Sequence, residues 1–142
     1  MGMSGWDAWS QQLLTRKIEG VKHCSAQHGG IYGLDGKLWA GTDAFMKKKI
    51  NPQSFKKVHD AIAKGATAVS KLEFGDKKFF VLKNDPGSKF VIGKSTQRGA
   101  GCTIARAKSC FVLGIYDNDQ VQPSNNTSQV CYVRDQLIAA GY

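Results

Sequence analysis

The sequence lacks any apolar run that approaches the roughly 20 residues of a membrane-spanning helix. Its first residues lack the basic stretch and apolar block of a secretion signal, and Trp6 stands where a myristoylation signal requires Ser or Thr. The sequence therefore favours neither a membrane-spanning nor a lipid-anchored protein. We expect the protein to be cytoplasmic.

Paired cysteines are also missing. Cys24, Cys102, Cys110 and Cys131 show no Cys-x-x-Cys spacing, and the three histidines show no metal-ligand spacing. Three of the cysteines fall in predicted strands or a predicted helix, so we interpret all four as small core residues in a reducing compartment. We expect no disulfide, no bound metal and no cofactor.

Catalytic motifs fail when their spacing is checked. Residues 93–95 (GKS) resemble the tail of a phosphate-binding loop, but Ser88 stands where its first glycine is required. Residues 117–119 (DND) lack the glycine and the distal glutamate of a calcium loop. No Cys–His or Ser–His–Asp set can be placed on facing elements. We expect no catalytic residues, and therefore no enzyme.

Acidic residues are few, with 11 against 20 basic residues and a formal net charge of +9. This charge favours an acidic partner, which could be a protein surface, an anionic lipid or a nucleic acid. The 142 residues suffice for a hydrophobic core, and no repeat, low-complexity tract or long linker divides them. We expect one domain over residues 1–142.

Residues 71–116 contain short apolar segments separated by turn residues, which is typical of an antiparallel meander. Residues 79–82 (FFVL) and 111–116 (FVLGIY) are apolar at both odd and even positions, whereas a strand with one solvated face alternates. We expect both to be central strands covered on both faces. The meander also carries nine basic and three acidic residues, so we expect a basic rim.

Two helices and a hairpin are predicted before the meander. Trp6 and Trp9 lie on one face of a first helix, and residues 31–40 predict two short strands joined by an Asp-Gly turn. Residues 51–65 carry a proline near the start, apolar residues at helical spacing and a glycine at the end, which predicts a middle helix.

A last helix is predicted from near Asn126, where Gln129 at the third helical position completes a capping box. The residues on its apolar face are Val130, Val133, Leu137 and Ile138. Together these elements predict an α+β fold in which helices sandwich a central antiparallel sheet.

The aromatic residues outside the meander allow two interpretations. Trp6, Trp9, Trp39 and the last residue, Tyr142, either belong to the core or line a half-exposed groove that binds proline-rich segments. A polyproline II segment is already extended, and an indole N–H can bind its free carbonyl groups.

The lysines also divide into two groups. Residues 47–49 and 56–57 are typical of a solvated face, whereas Lys83, Lys94 and Arg106 are candidate contacts, because strands hold side chains in a fixed array.

Several segments resemble the profilin family. The similar segments, in the order of that family, are residues 4–9 (SGWDAW), 34–40 (LDGKLWA), 75–83 (GDKKFFVLK), 93–101 (GKSTQRGAG), 114–116 (GIY), 121–123 (VQP) and 135–142 (DQLIAAGY). The resemblance extends over residues 4–142. No single segment is highly specific for the family, but the order in which they occur together is.

The resemblance implies a fold with the N- and C-terminal helices on one face of the sheet and shorter helices on the other. It implies a monomeric, non-enzymatic protein of the cytoplasm and cytoskeleton that binds monomeric actin and regulates actin polymerisation. The further partners that it implies are proline-rich segments of actin-assembly factors such as formins, and anionic phosphoinositide membrane surfaces.

The resemblance also implies three sets of site residues. The groove for proline-rich segments would consist of Trp6, Trp9, Trp39, Gln136 and Tyr142, with Trp9 in place of the family's usual Tyr and Gln136 in place of its usual Tyr or His. The actin-binding set would consist of Lys83, Lys94, Arg106, Val121, Gln122 and Thr127. The phosphoinositide-binding set would consist of Lys83, Lys94 and Arg106.

The alternative is a basic α+β domain that binds nucleic acid. Such a domain would interleave aromatic and basic residues on one strand face, as the RNA-recognition-motif signature does, and that signature is absent from the sequence. We therefore expect no nucleic-acid partner.

Overall fold

The structure is a computed structural model. The residues that it describes are Trp9, 26–42, 55, 56, 58, 59, 62, 71–74, 77–85, 87, 89–96 and 99–142, with only the backbone at 83–85. The predictions for Trp6, Cys24, residues 47–49 and the ends of the first two predicted helices lie outside the described residues.

In the described part of the chain, seven strands form one antiparallel sheet. Their bounds are β1 His28–Gly33, β2 Leu38–Gly41, β3 Lys71–Phe74, β4 Lys77–Asp85, β5 Phe90–Lys94, β6 Gly101–Arg106 and β7 Cys110–Tyr116. The order across the sheet is β2-β1-β7-β6-β5-β4-β3. Strands β3 to β7 pair in chain order, which confirms the predicted meander, and the predicted first hairpin adds to it because β1 pairs with β7.

One face of the sheet is covered by helical residues of the middle segment. Phe55, Val58 and Ile62 are buried there, as their spacing predicted. The Phe55 ring lies 4.5 Å from the Tyr32 ring and 5.6 Å from the Phe111 ring, measured between centroids. These rings exclude water from this face of the sheet, so it forms the larger part of the core.

The opposite face is covered by the C-terminal helix α1, Pro123–Ala139, which packs on β6 and β7. Its buried Val130, Val133 and Leu137 belong to the predicted apolar face. Gly114 on β7 allows a close approach, because a Cβ there would lie 2.5 Å from Val130 Cγ2. Among the described residues, no helix has the length and hydrophobicity that a transmembrane span requires.

The prediction of double burial is right for β7 and wrong for β4. Every residue of β7 is buried, whereas Phe80 is 46% and Leu82 62% exposed on β4. The reason is geometric: a helix roughly 10 Å wide covers about two strands that lie about 4.8 Å apart. Helix α1 occupies β6 and β7, so the α1 side of β4 stays open to solvent.

The predicted start of the last helix is also wrong. The helix begins at Pro123 rather than near Asn126, and its N-cap, Gln122, makes no side-chain capping hydrogen bond. Asn126 and Gln129 are fully buried one turn further on, so they cannot form the predicted capping box at the helix start. Asn126 instead accepts a hydrogen bond from Thr103 in the sheet.

Candidate functional site

The first candidate surface lies beside α1, and we call its Trp9, Trp39 and Tyr142 side chains the aromatic cluster. Trp9, which is helical, and Trp39 on β2 are both half-buried, and both pack against the apolar cluster that contains Val133 and Leu137. Ile138 on α1 packs against the same cluster. Two of the predicted groove residues therefore pack against the same apolar cluster, and each is only half-buried.

Trp39 is held in place by the first hairpin. The Asp35 carboxylate accepts a hydrogen bond from the Lys37 backbone N–H at 2.9 Å and so fixes the turn. Gly33 leaves room for the indole, since a Cβ there would lie 3.1 Å from Trp39 Nε1. The sequence of the hairpin thus determines where this tryptophan is presented.

Tyr142 is held at the end of α1 by its main chain. Its N–H donates to the Leu137 carbonyl at 2.9 Å, and its own carbonyl accepts from the Lys108 N–H at 2.8 Å. Gly141, at φ +99°, makes the required turn. The Tyr142 side chain is 41% exposed and Gln136 is exposed on α1, so both are accessible to a ligand. The fifth predicted groove residue, Trp6, lies outside the described residues.

The second candidate surface is the part of the sheet that α1 leaves open. We call the outward side chains of Lys71, Glu73, Lys78, Phe80, Leu82, Ile92 and Lys94 the open sheet face. Strand register places Lys71, Phe80 and Lys94 in one row across β3, β4 and β5. The Lys71 ammonium lies 5.8 Å from the centroid of the Phe80 ring. The open sheet face therefore combines exposed apolar groups with a net positive charge, since three lysines share it with one glutamate, Glu73.

The first turns of α1 border the open sheet face. The Thr103 hydroxyl lies 2.8 Å from Asn126 Oδ1, to which it donates, and 2.9 Å from the Thr127 hydroxyl. Thr103 is the register partner of Ile92 on the next strand. The first turns of α1 are therefore tied to the strand beside the open sheet face.

The predicted actin-contact residues near this helix start differ in exposure. Gln122 is exposed and Thr127 is half-buried. Val121 is only 7% exposed and offers little surface to a partner.

The structure does not bring the predicted basic contacts together. Lys94 pairs with Gly101 at one end of β6, and Arg106 is at the other end, about 17 Å away along the strand. Side chains alternate along β6, and Ile104 points to the face opposite α1, so Arg106 points there too. The Arg106 Nε atom is buried and has no hydrogen-bond partner among the residues that the structure describes.

The third residue of this basic set, Lys83, is placed only by its backbone. It pairs with Ile92 in the middle of the open sheet face.

Sequence reasoning missed Phe80 and Leu82 as surface residues. Residues 79–82 are apolar at both odd and even positions, which suggested burial on both faces of the strand. The same pattern fits a strand whose second face binds a partner. The flanking lysines at positions 77, 78 and 83 were the available signal. A strand buried on both faces, such as β7, carries no charged residue.

Cys102 and Cys110 are buried, as expected of small core residues, and they are not reactive groups of either surface. Burial raises the pKa of Cys102 to about 12, although a hydrogen bond with the Gly93 backbone lowers it in part. Burial also raises the pKa of Cys110 to about 11. Burial also raises the pKa of the neighbouring Tyr116. Both thiols therefore stay protonated at neutral pH and are poor nucleophiles.

Comparison with known proteins identifies the family and the fold. A sequence model of the family Profilin matches residues 4–142. The chain is similar to the crystal structure of Acanthamoeba castellanii profilin II, with 23% identity, a TM-score of 0.78 and coverage of 97% of this chain and 100% of that one. It is also similar to mouse profilin IIa in complex with a double repeat from the FH1 domain of mDia1, with 19% identity, a TM-score of 0.72 and coverage of 98% and 100%.

A third similar structure is a complex of LokiProfilin1 with rabbit actin. Here the identity is 17%, the TM-score 0.62 and the coverage 82% of this chain and 85% of that one. At these identities the structural similarity establishes the fold.

Proposed function

Because the chain belongs to the profilin family, we propose that it binds monomeric actin and proline-rich segments, each on one of the two surfaces described above. Both activities are binding and need no reaction centre. The protein would act as a monomeric regulator of actin polymerisation in the cytoplasm and cytoskeleton.

We assign actin to the open sheet face, and the exposure of Phe80 and Leu82 is the observation that carries this assignment. Exposed apolar side chains among lysines suit a protein partner with an acidic rim, because the apolar groups contribute affinity and the charges steer association. Gln122 and Thr127 border this face and would extend the contact. A profilin bound to actin is among the structurally similar proteins.

We assign proline-rich segments of actin-assembly factors, such as formins, to the aromatic cluster of Trp9, Trp39 and Tyr142. Half-exposed aromatic rings beside a helix suit a polyproline II segment, which is pre-extended and loses little entropy on docking. Trp6 and Gln136 would complete the groove. A similar structure, mouse profilin IIa, holds an FH1 repeat.

We also propose that phosphoinositide headgroups bind the open sheet face and compete with actin. The lysines that share this face are Lys71, Lys78 and Lys94, with Lys83 in the same strand region. Arg106 points to the other face of the sheet and would not join the same headgroup. Binding through several exposed charges would weaken strongly with salt.

Paired variants test the two-surface proposal. Leu82→Ser removes an exposed apolar side chain from the open sheet face, and we expect actin-monomer affinity to fall about 5- to 30-fold, since burying a leucine contributes about 1–2 kcal/mol. Leu38→Ser on β2 is the matched control, because Leu38 is also exposed but lies at the other end of the sheet. Tyr142→Ala should weaken proline-rich peptide binding roughly three- to tenfold.

The measurements are inhibition of actin polymerisation and tryptophan fluorescence titrated with a proline-rich peptide, with a proline-dispersed peptide as control. Leu82→Ser should leave peptide binding unchanged, and Tyr142→Ala should leave actin binding unchanged. Normal actin affinity in a folded Leu82→Ser protein would show that actin binds elsewhere. RNA retention on a filter at moderate salt would instead favour a nucleic-acid partner.

A further inference from the structure

A basic pocket lies beside the C-terminal end of α1, outside both surfaces described so far. Its volume is about 300 Å³, and the residues that line it are Gly87, Lys89, Arg106, Ala107, Lys108, Arg134, Asp135 and Ile138. Lys89 and Lys108 are exposed, so their ammonium groups are accessible to a ligand at its rim. We call this the basic pocket.

The wall of the basic pocket is fixed by Arg134. This side chain is buried, and its Nη1 donates to the Arg106 carbonyl at 3.2 Å and to the Lys89 carbonyl at 3.5 Å, while Nε contacts Asp135 Oδ1 at 2.6 Å. Asp135 offsets the charge of Arg134, which leaves the two lysines as the net positive charge of the rim.

Lys89 is held in an unusual backbone conformation. Its φ is 59°, which is uncommon for a residue other than glycine. The Lys89 carbonyl accepts from the Arg106 N–H at 2.9 Å as well as from Arg134. The surrounding structure therefore determines where this lysine is presented.

The basic pocket is continuous with the aromatic cluster. Ile138 lines the pocket and also packs against the apolar cluster that holds Trp9 and Trp39. The backbone N–H of Lys108 donates to the Tyr142 carbonyl at 2.8 Å, so the pocket adjoins the last residue of the proposed groove. A peptide that lies on the aromatic rings would pass its flanking residues close to Lys108.

We propose that the basic pocket binds an acidic residue next to the proline core of the docked segment, so that the protein prefers proline-rich partners with acidic flanks. This inference rests on the proposed binding of proline-rich segments. The aromatic cluster binds the proline core, and the lysines attract the acidic residue beside it. Charge complementarity at the rim of an interface contributes specificity and association rate.

The test compares two peptides with the same proline core, one flanked by glutamates and one by glutamines. At low ionic strength the wild-type protein should bind the glutamate peptide about three- to tenfold more tightly, and this ratio should shrink as salt is added. Lys108→Glu should bring the ratio to one or below, because the substitution keeps the backbone hydrogen bond to Tyr142 and reverses only the side-chain charge. Lys56→Glu makes the same charge change at an exposed helical lysine elsewhere and should leave the ratio as in wild type.

Equal affinity of the wild-type protein for the two peptides would overturn the inference while leaving the proline groove intact. The same ratio in Lys108→Glu as in Lys56→Glu would also overturn it, since the preference would then reflect overall charge. If the glutamine peptide itself does not bind, the proposed groove fails and the inference fails with it. Binding of the same proteins to phosphatidylserine vesicles tests whether the pocket is instead a lipid site. If Lys108→Glu lost vesicle binding but kept the wild-type ratio of peptide affinities, the pocket would be assigned to a lipid headgroup.

Discussion

The link between α1 and the sheet can be tested by Thr103→Val. Thr103 is fully buried, and its hydroxyl donates to Asn126 Oδ1 at 2.8 Å and lies 2.9 Å from the Thr127 hydroxyl. Valine has nearly the same shape but no hydroxyl, so the substitution removes these hydrogen bonds without creating a large cavity. The amide of Asn126, which is itself fully buried, loses one of its partners.

The expected cost follows from that lost partner. A buried polar group left without a hydrogen bond costs about 1–3 kcal/mol. For a chain of 142 residues the entropy of unfolding is about 0.3 kcal/mol/K, so the thermal midpoint should fall by roughly 3–10 °C. The substitution changes little of the surface that unfolding exposes. The urea midpoint should therefore fall while the slope of unfolding free energy against urea concentration stays the same.

Urea unfolding followed by circular dichroism measures this change. Thr96→Val is the matched control, because Thr96 is exposed two residues beyond the end of β5 and the substitution should shift stability by no more than about 0.5 kcal/mol. An equal effect of the two substitutions would refute the role given to the buried Thr103 hydroxyl. A folded Thr103→Val protein should also bind proline-rich peptide normally, since the aromatic cluster packs near the other end of α1.

Two further perturbations follow from the packing of the sheet. Gly114→Ala should lower the free energy of unfolding, measured by urea, by about 1–3 kcal/mol, because the new Cβ would lie 2.5 Å from Val130 Cγ2. Adding Val130→Ala to the same chain should recover part of this loss. The stability of wild type should fall as pH rises above about 9, because the unfolded chain then releases the Cys102 proton while the folded chain, with a pKa of about 12, keeps it. Urea midpoints at pH 8 and pH 10 should therefore differ more in wild type than in Cys102→Ala, and equal differences would contradict the assigned burial of the thiol.

The parts of the fold that the sequence predicted well are those in which one local pattern decides the outcome. Residues 111–116 are apolar at every position, and β7, unlike β4, carries no charged residue and is buried throughout. The apolar spacing of Val130, Val133 and Leu137 likewise allows only one buried helix face. Turn residues between the apolar segments then ordered β3 to β7 as neighbours.

The exposure of β4 could not be predicted in the same way. Residues 79–82 have the pattern of a doubly covered strand, but coverage depends on how far α1 extends across the sheet. That extent follows from the close approach at Gly114 and from the tie between Thr103 and Asn126, both of which are long-range contacts. A local window of sequence contains neither, so Phe80 and Leu82 were assigned to the core.

The same distinction between local patterns and long-range contacts applies to the site residues. Trp9 and Trp39 both pack against the apolar cluster that contains Val133 and Leu137. Lys94 and Arg106, which the resemblance and their positions on predicted strands placed in one set of basic contacts, lie on opposite faces of the sheet. Strand alternation could have separated these two once the β5–β6 register was known, because Gly101 pairs with Lys94 and lies five residues from Arg106. Charge content identifies a basic protein, but only register assigns its charges to a face.

The positions of the two surfaces explain how two ligands could be held at once. Trp39 lies on β2 and Leu82 on β4, five strand spacings apart in the sheet, which is about 24 Å measured along it. Helix α1 stands between them on β6 and β7, with the aromatic cluster on one side and the open sheet face on the other. A ligand on either side contacts an element already fixed by the core, so binding of one should change the affinity for the other very little. The gain from holding both is then one of local concentration: a proline-rich partner would keep the bound actin close to its own site of action.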